Sequence, residues 1–143
     1  MDNKSNLIPN LIKKMIVAIG AILFIATIHI FRVGSYLNGN LYILYYSFFS
    51  DIIIPIGIYI LLCINYVSFP FLKNWIVKAL IVFIVASSIE VAQAFGIPVL
   101  GNTFDPLDFI MFAIGTSIAV LLDKAFSVIF PFWTFGNKKG KSA

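Results

Sequence analysis

The residues of this chain with the clearest capacity for chemistry are a small set of acids and their polar neighbours. Glu90 and Gln93 close one apolar run. Asp105 and Asp108 open the next, across a short connection. Asp51 lies in an earlier apolar run, and His29 and Arg32 end the first. Ionisable groups inside apolar spans are costly and usually mark function. Two carboxyls held together can act as acid and base, or hold a cation, a protonated amine or a metal ion. A zinc site needs three or four ligands. His29, Glu90 and Asp108 would supply three, but their spacing does not demand a metal, and none is expected, nor any organic cofactor. Arg32 is the one positive charge near the acids, suited to pair with Glu90 or Asp51. The surplus of carboxylates then calls for protonation or a cationic ligand.

Each residue also has an architectural reading. Ser87, Glu90 and Gln93 follow at i, i+3 and i+6 and share one helix face, which also suits a polar clasp between helices. Asp105-Pro106 is a good N-cap followed by a first-turn proline, with Asp108 facing the helix dipole. Gly115 and Ala119 form a small-x-x-x-small packing contact. Asp51 precedes Pro55 by four residues, so its carbonyl loses a helical donor beside a carboxylate. It would equally cap a helix beginning near Ser50.

These residues are positioned by elements that composition makes plain. Of 143 residues, 61% are hydrophobic and 11% charged. Soluble domains carry about 25% charged residues. Four apolar segments, roughly 15–31, 43–65, 75–95 and 107–130, approach or exceed the ~20 residues a spanning helix needs. None alternates strictly, which argues against a barrel. The expectation is an all-α polytopic membrane protein, a bundle of four transmembrane helices. Residues 1–137 form one domain and residues 138–143 a basic tail. The first segment follows Lys13 and Lys14 without a small-residue cleavage site, so it reads as an uncleaved helix rather than a signal peptide.

Lys and Arg are distributed unevenly. Lys4, Lys13, Lys14, Lys73, Lys124, Lys138, Lys139 and Lys141 fall on one side, with Lys78 near it, and Arg32 on the other. The positive-inside rule then places both termini in the cytoplasm. Trp75, the Tyr42/Tyr45/Tyr46 group and Trp133 suit interfacial anchors. Asp123-Lys124 reads as an interfacial pair at a helix end. His29, Arg32, Asp51, Glu90, Gln93, Asp105 and Asp108 would then share one depth near the outer surface, with Glu90 about 7–8 Å below its helix end. A net charge of +4 with lysines at span ends fits lipid head groups rather than nucleic acid. Cys63 is the single cysteine and has no disulfide partner within the chain.

The second half of the chain resembles the VanZ-like family of small bacterial membrane proteins. Ile89-Glu90-Val91-Ala92-Gln93 is similar to its Glu-x-x-Gln, Phe104-Asp105-Pro106-Leu107-Asp108 with Gly115 to its Phe-Asp-x-x-Asp and following glycine, and Pro55-x-Gly57 to an earlier Pro-x-Gly. The family's asparagine in the last helix falls at Phe112, its basic residue before Phe-Asp at Asn102-Thr103, and its usual asparagine before Pro-x-Gly at Asp51. The resemblance implies a cell-envelope role linked to glycopeptide antibiotics such as teicoplanin. On this reading the protein is a non-enzymatic binder of a lipid-linked or lipophilic glycopeptide ligand at an acidic pocket. Two alternatives stand beside it: an intramembrane enzyme using Glu90 and Asp108 on a lipid head group, and a small proton-coupled transporter. Membrane lipids are expected partners, and self-association is a further candidate.

Overall fold

The computed structural model describes residues 7–97, 99 and 104–133. They form four long helices: α1 (Leu7–Ile30), α2 (Asn40–Ile64), α3 (Trp75–Ala94) and α4 (Pro106–Ile129). All four are long and apolar enough to cross a membrane. Short 3-10 turns at Val33–Tyr36, Asn65–Val67, Pro70–Lys73 and Pro131–Trp133 complete the described chain. The proposed basic tail, residues 138–143, lies outside the described residues.

Helix ends follow local chemistry. Asn74 caps α3, its side chain accepting from the Ile76 N–H at 2.9 Å. Asp105 caps α4, accepting from the Leu107 N–H at 2.9 Å, with Pro106 in the first turn where its missing N–H is harmless. Gly96 stops α3 at φ 76°, a left-handed geometry that glycine adopts without a Cβ clash. Two helices begin earlier than the apolar runs suggested. α1 starts at Leu7, because Lys13 and Lys14 are good helix formers and the helix passes through them. α2 starts at Asn40, so Asp51 is an interior helix residue and caps nothing.

α2, α3 and α4 make the central packing, and α1 packs chiefly on α2 and on the 131–133 turn. The closest approach joins α2 to α4. A Cβ built on Gly115 would collide with the Ile52 carbonyl oxygen. Glycine lets the two backbones meet, as small residues do between spanning helices generally. Ile56, Tyr59, Cys63, Val82, Ala119, Val120 and Trp133 form the buried cluster beyond that contact.

At one end of the bundle the core is polar. Lys78 is fully buried and Asp123 is 8% exposed. Their charges meet at 2.6 Å, the one ion pair among the described residues. Asp123 also accepts from the Tyr59 hydroxyl at 3.0 Å and the Trp133 indole N–H at 2.8 Å. Lys78 donates to the Cys63 thiol at 3.2 Å and lies over the Tyr59 ring. Lys14 of α1 joins the cluster, 4.2 Å from the Tyr66 ring centroid and 5.9 Å from that of Trp133. We call this the basic end, and the Glu90–Asp108 end the acidic end.

Three expectations are corrected here. Asp123 and Lys124 are not a surface pair: Asp123 turns inward, while Lys124 lies 4.1 Å from the Trp75 ring centroid. Adjacent residues on a helix point about 100° apart, so they cannot share a partner face. Trp133 is 2% exposed rather than an interfacial anchor, because its indole N–H completes the Asp123 shell. Tyr45 is half-buried, packed on Gly34 and stacked on Phe49 at 4.4 Å, whereas Tyr42 and Tyr46 remain exposed.

Breaking this network on one side strands a buried charge, which costs about 3–5 kcal/mol; replacing both partners by apolar residues is often neutral. Lys78→Met and Asp123→Leu should each lower thermal stability of the detergent-solubilised protein sharply. The double variant should recover most of the loss. Additive losses in a double-mutant cycle would show that the two charges do not depend on each other.

Candidate functional site

The acidic end is built by α2, α3, α4 and the start of the α3–α4 connection. Glu90 stands one turn from the end of α3 and is 3% exposed. Its carboxylate accepts from the Asp105 backbone N–H at 3.1 Å, which ties the connection down over the end of α3. Gln93, one turn further, donates from Nε2 to the Val99 carbonyl at 2.8 Å and clamps the same connection. Asp105 is committed twice as a turn residue: its side chain caps α4, and its carbonyl accepts from the Asp108 N–H at 3.1 Å. Capping therefore accounts for Asp105.

Capping does not account for Asp108. Its side chain is half-buried and lies close enough to those of Glu90 and Asp51 for their charges to interact. Carboxyls gathered this closely favour a shared proton or a cation beside them, since ionised carboxylates repel and offer only acceptors. Asp51 lies within electrostatic range of Glu90, Asp105 and Asp108. Four carboxyl groups from three helices and one cap thus converge.

Their depths differ. The Ile52 carbonyl meets Gly115, which is seven residues beyond Asp108, or about 10 Å further along α4. Asp51 therefore rises into the site from deeper in the bundle, helped by the tilt of Cα–Cβ bonds toward a helix N-terminus. The expectation that all the acids share one depth holds for Glu90, Asp105 and Asp108 and fails for Asp51. The half-buried Asp51 sits near the middle of α2 because that helix begins ten residues before Ser50.

Arg32 does not join the acids. It is exposed, sits at φ 48° as α1 ends, and makes no ion pair among the described residues. It pairs with neither Glu90 nor Asp51. The cause is architectural: α1 packs on α2 and on the 131–133 turn and does not line the α3–α4 seam where Glu90 is held. The side chain of His29 lies outside the described residues, as do residues 100–103 of the connection. Among the described residues, no three of His, Cys, Asp and Glu are disposed around a common metal position.

Buried polar atoms continue along the acidic seam. Ser87 Oγ and Gln93 Oε1 flank Glu90 on one face of α3, and Thr116 Oγ1 is buried on α4; none has a hydrogen-bond partner among the described residues. The seam is polar over more than Glu90 alone. Beside the site, an apolar pocket of about 280 Å³ lies between Leu41, Leu44, Tyr45, Phe48 and Ile52 of α2 and Met111 of α4. Met111 follows Asp108 by one turn, so the pocket adjoins the carboxyls.

Comparison with protein-family models, with curated proteins and with solved structures gave no match to this chain.

The sequence reading set Lys14, Lys78, Asp123 and Trp133 at span ends and did not expect them to join Tyr59 and Cys63 in a buried polar cluster. One signal was present. Lys78, Val82, Ala86 and Glu90 follow at i+4 steps and are all buried on α3, so the face that carries Glu90 also carries Lys78.

Asp105→Ala should lower stability by about 1 kcal/mol through loss of the cap, whereas Asp105→Asn should retain most of it. Thermal unfolding in detergent reads the difference. Equal loss in both variants would mean that the Asp105 charge, not its capping oxygen, is what matters.

Proposed function

We propose that this chain is a VanZ-like multi-pass protein of the cell envelope, and that its acidic end binds the cationic head of a lipid-linked or glycopeptide-type ligand at the outer leaflet. The observation that carries the reading is the buried Glu90, tied to the start of α4 through the Asp105 N–H, with Asp108 and Asp51 within electrostatic range and no basic side chain paired to them among the described residues. Such a cluster favours a protonated amine, which brings both the missing charge and several hydrogen-bond donors. The adjoining 280 Å³ apolar pocket gives an amphiphile's hydrocarbon a place beside its head. The motif resemblance agrees with this reading, because Glu90 and Asp108 are the residues of the two motifs that meet.

The orientation rests on charge. Lys13, Lys14, Lys73, Lys78 and Lys124 belong to the basic end and Arg32 to the acidic end. The positive-inside rule then puts the basic end, and both termini, in the cytoplasm. A site reached from outside is where an antibiotic or a lipid-linked wall component would arrive.

Truncating one member of a buried charge pair at a binding site typically costs 2–5 kcal/mol, and about 1.4 kcal/mol is tenfold in affinity. Glu90→Gln and Asp108→Asn should each weaken binding of a fluorescent teicoplanin derivative to the reconstituted protein by tenfold or more. Both should abolish any protection the protein gives to cells, at unchanged membrane levels. Wild-type binding and protection in both variants would overturn the proposal.

A further inference from the structure

A second cavity lies further along the bundle from the Glu90–Asp108 cluster, toward the basic end. It has a volume of about 240 Å³ and is walled by Ala21 and Ile25 of α1, Ile56 and Ile60 of α2, and Ala119 and Leu122 of α4, with Trp133 closing it at the basic end. It exists because α1 rests on α2 and on the 131–133 turn, leaving room between α1 and α4. Its lining along α2 runs from Ile53 to Cys63, ten residues or about 15 Å. That is half of the ~30 Å hydrocarbon core. Since Asn40–Ile64 is the α2 span, the cavity occupies the half nearer the basic end.

The polar groups that border it, Asp123, Tyr59 and the Trp133 indole, are spent on one another, so the cavity wall is apolar and gives water few partners. Left empty, its walls would lose dispersion contacts. Within a bilayer the available filler is hydrocarbon. The charges at the same end of the bundle specify which lipid brings it. Lys13 is exposed beside the Phe132 ring, next to Trp133, and Lys73 and Lys124 are exposed at the same end. Asp123 is the only acid there among the described residues, and it is buried against Lys78. Basic side chains facing the bilayer surface attract anionic head groups.

We propose that this cavity is a binding site for one acyl chain of an anionic phospholipid in the leaflet at the basic end, with the lipid phosphate held at Lys13. The chain lies between α1 and α4, and the site is separate from the acidic one.

Native mass spectrometry tests this on the full chain released from nanodiscs of equal phosphatidylglycerol and phosphatidylcholine. The wild type should retain one phosphatidylglycerol per chain, about fivefold over phosphatidylcholine, as expected for one lysine near the surface. Lys13→Gln should retain lipid without that preference. Ala21→Phe, which fills the cavity, should lower total retention severalfold. Photo-crosslinking of the wild type with a diazirine-bearing acyl chain requires no substitution, and should label α1 and α4 residues that wall the cavity. Equal retention of both lipids by the wild type, or labelling confined to exposed faces such as Ile84 of α3, would overturn the proposal. So would a dimer mass free of lipid, which would assign the cavity to a second copy.

Discussion

Charge buried in an apolar span is the constraint on which this structure depends. Lys78 and Asp123 each lie in a largely apolar helix, and both are buried away from solvent. They must meet, and the meeting sets how far α3 slides along α4. From Lys78 to Glu90 is twelve residues, about 18 Å of helix, and from Asp123 to Asp108 fifteen, about 22 Å. Because α3 and α4 run in opposite directions, joining the first pair brings Glu90 to the start of α4. There it receives the Asp105 N–H and comes within electrostatic range of Asp108. The ion pair at one end and the acid cluster at the other are two consequences of one register.

α2 enters that arrangement through a steric device rather than an electrostatic one. Gly115 allows the Ile52 carbonyl to touch the α4 backbone, which brings Asp51 into range of the α3–α4 acids. The same alignment, carried two turns further, places the Tyr59 hydroxyl on Asp123. A single close contact therefore supplies α2's share of both polar clusters. Any side chain at 115 would separate the helices along much of their shared length.

α1 has a different part. It contributes no acid to the site among the described residues and reaches the polar core only at the basic end, where Lys14 lies over Tyr66 and near Trp133. The 131–133 turn connects it to α4 by placing Trp133 against Asp123. The bundle is consequently tight where its charges are paired and open between α1 and α4 further in, with an apolar space there. The two ends of the molecule differ in chemistry: carboxyls at one, lysines at the other.

Local chemistry made much of this legible. Apolar run length alone announces four spanning helices, since a bilayer-thick segment of this composition has few other stable forms. The Asp105-Pro106 cap and the Gly115 packing contact are similarly readable, because each depends on neighbours within a turn or on one side chain's size. The grouping of Glu90, Asp105 and Asp108 follows from their short separation across one connection. What required the tertiary structure is every choice between faces. Lys78 and Lys124 look alike as lysines near span ends, yet one is wholly buried and the other lies over an indole, and only packing decides which face turns inward. Arg32 appeared close to the acids because it shares their end of the bundle. Its helix packs elsewhere, and distance around a bundle is not written in a span's length or charge. Asp51 illustrates the remaining limit: its depth was set by where α2 begins, and the start of an apolar helix depends on the loop and helices packed around it rather than on the residues just before it.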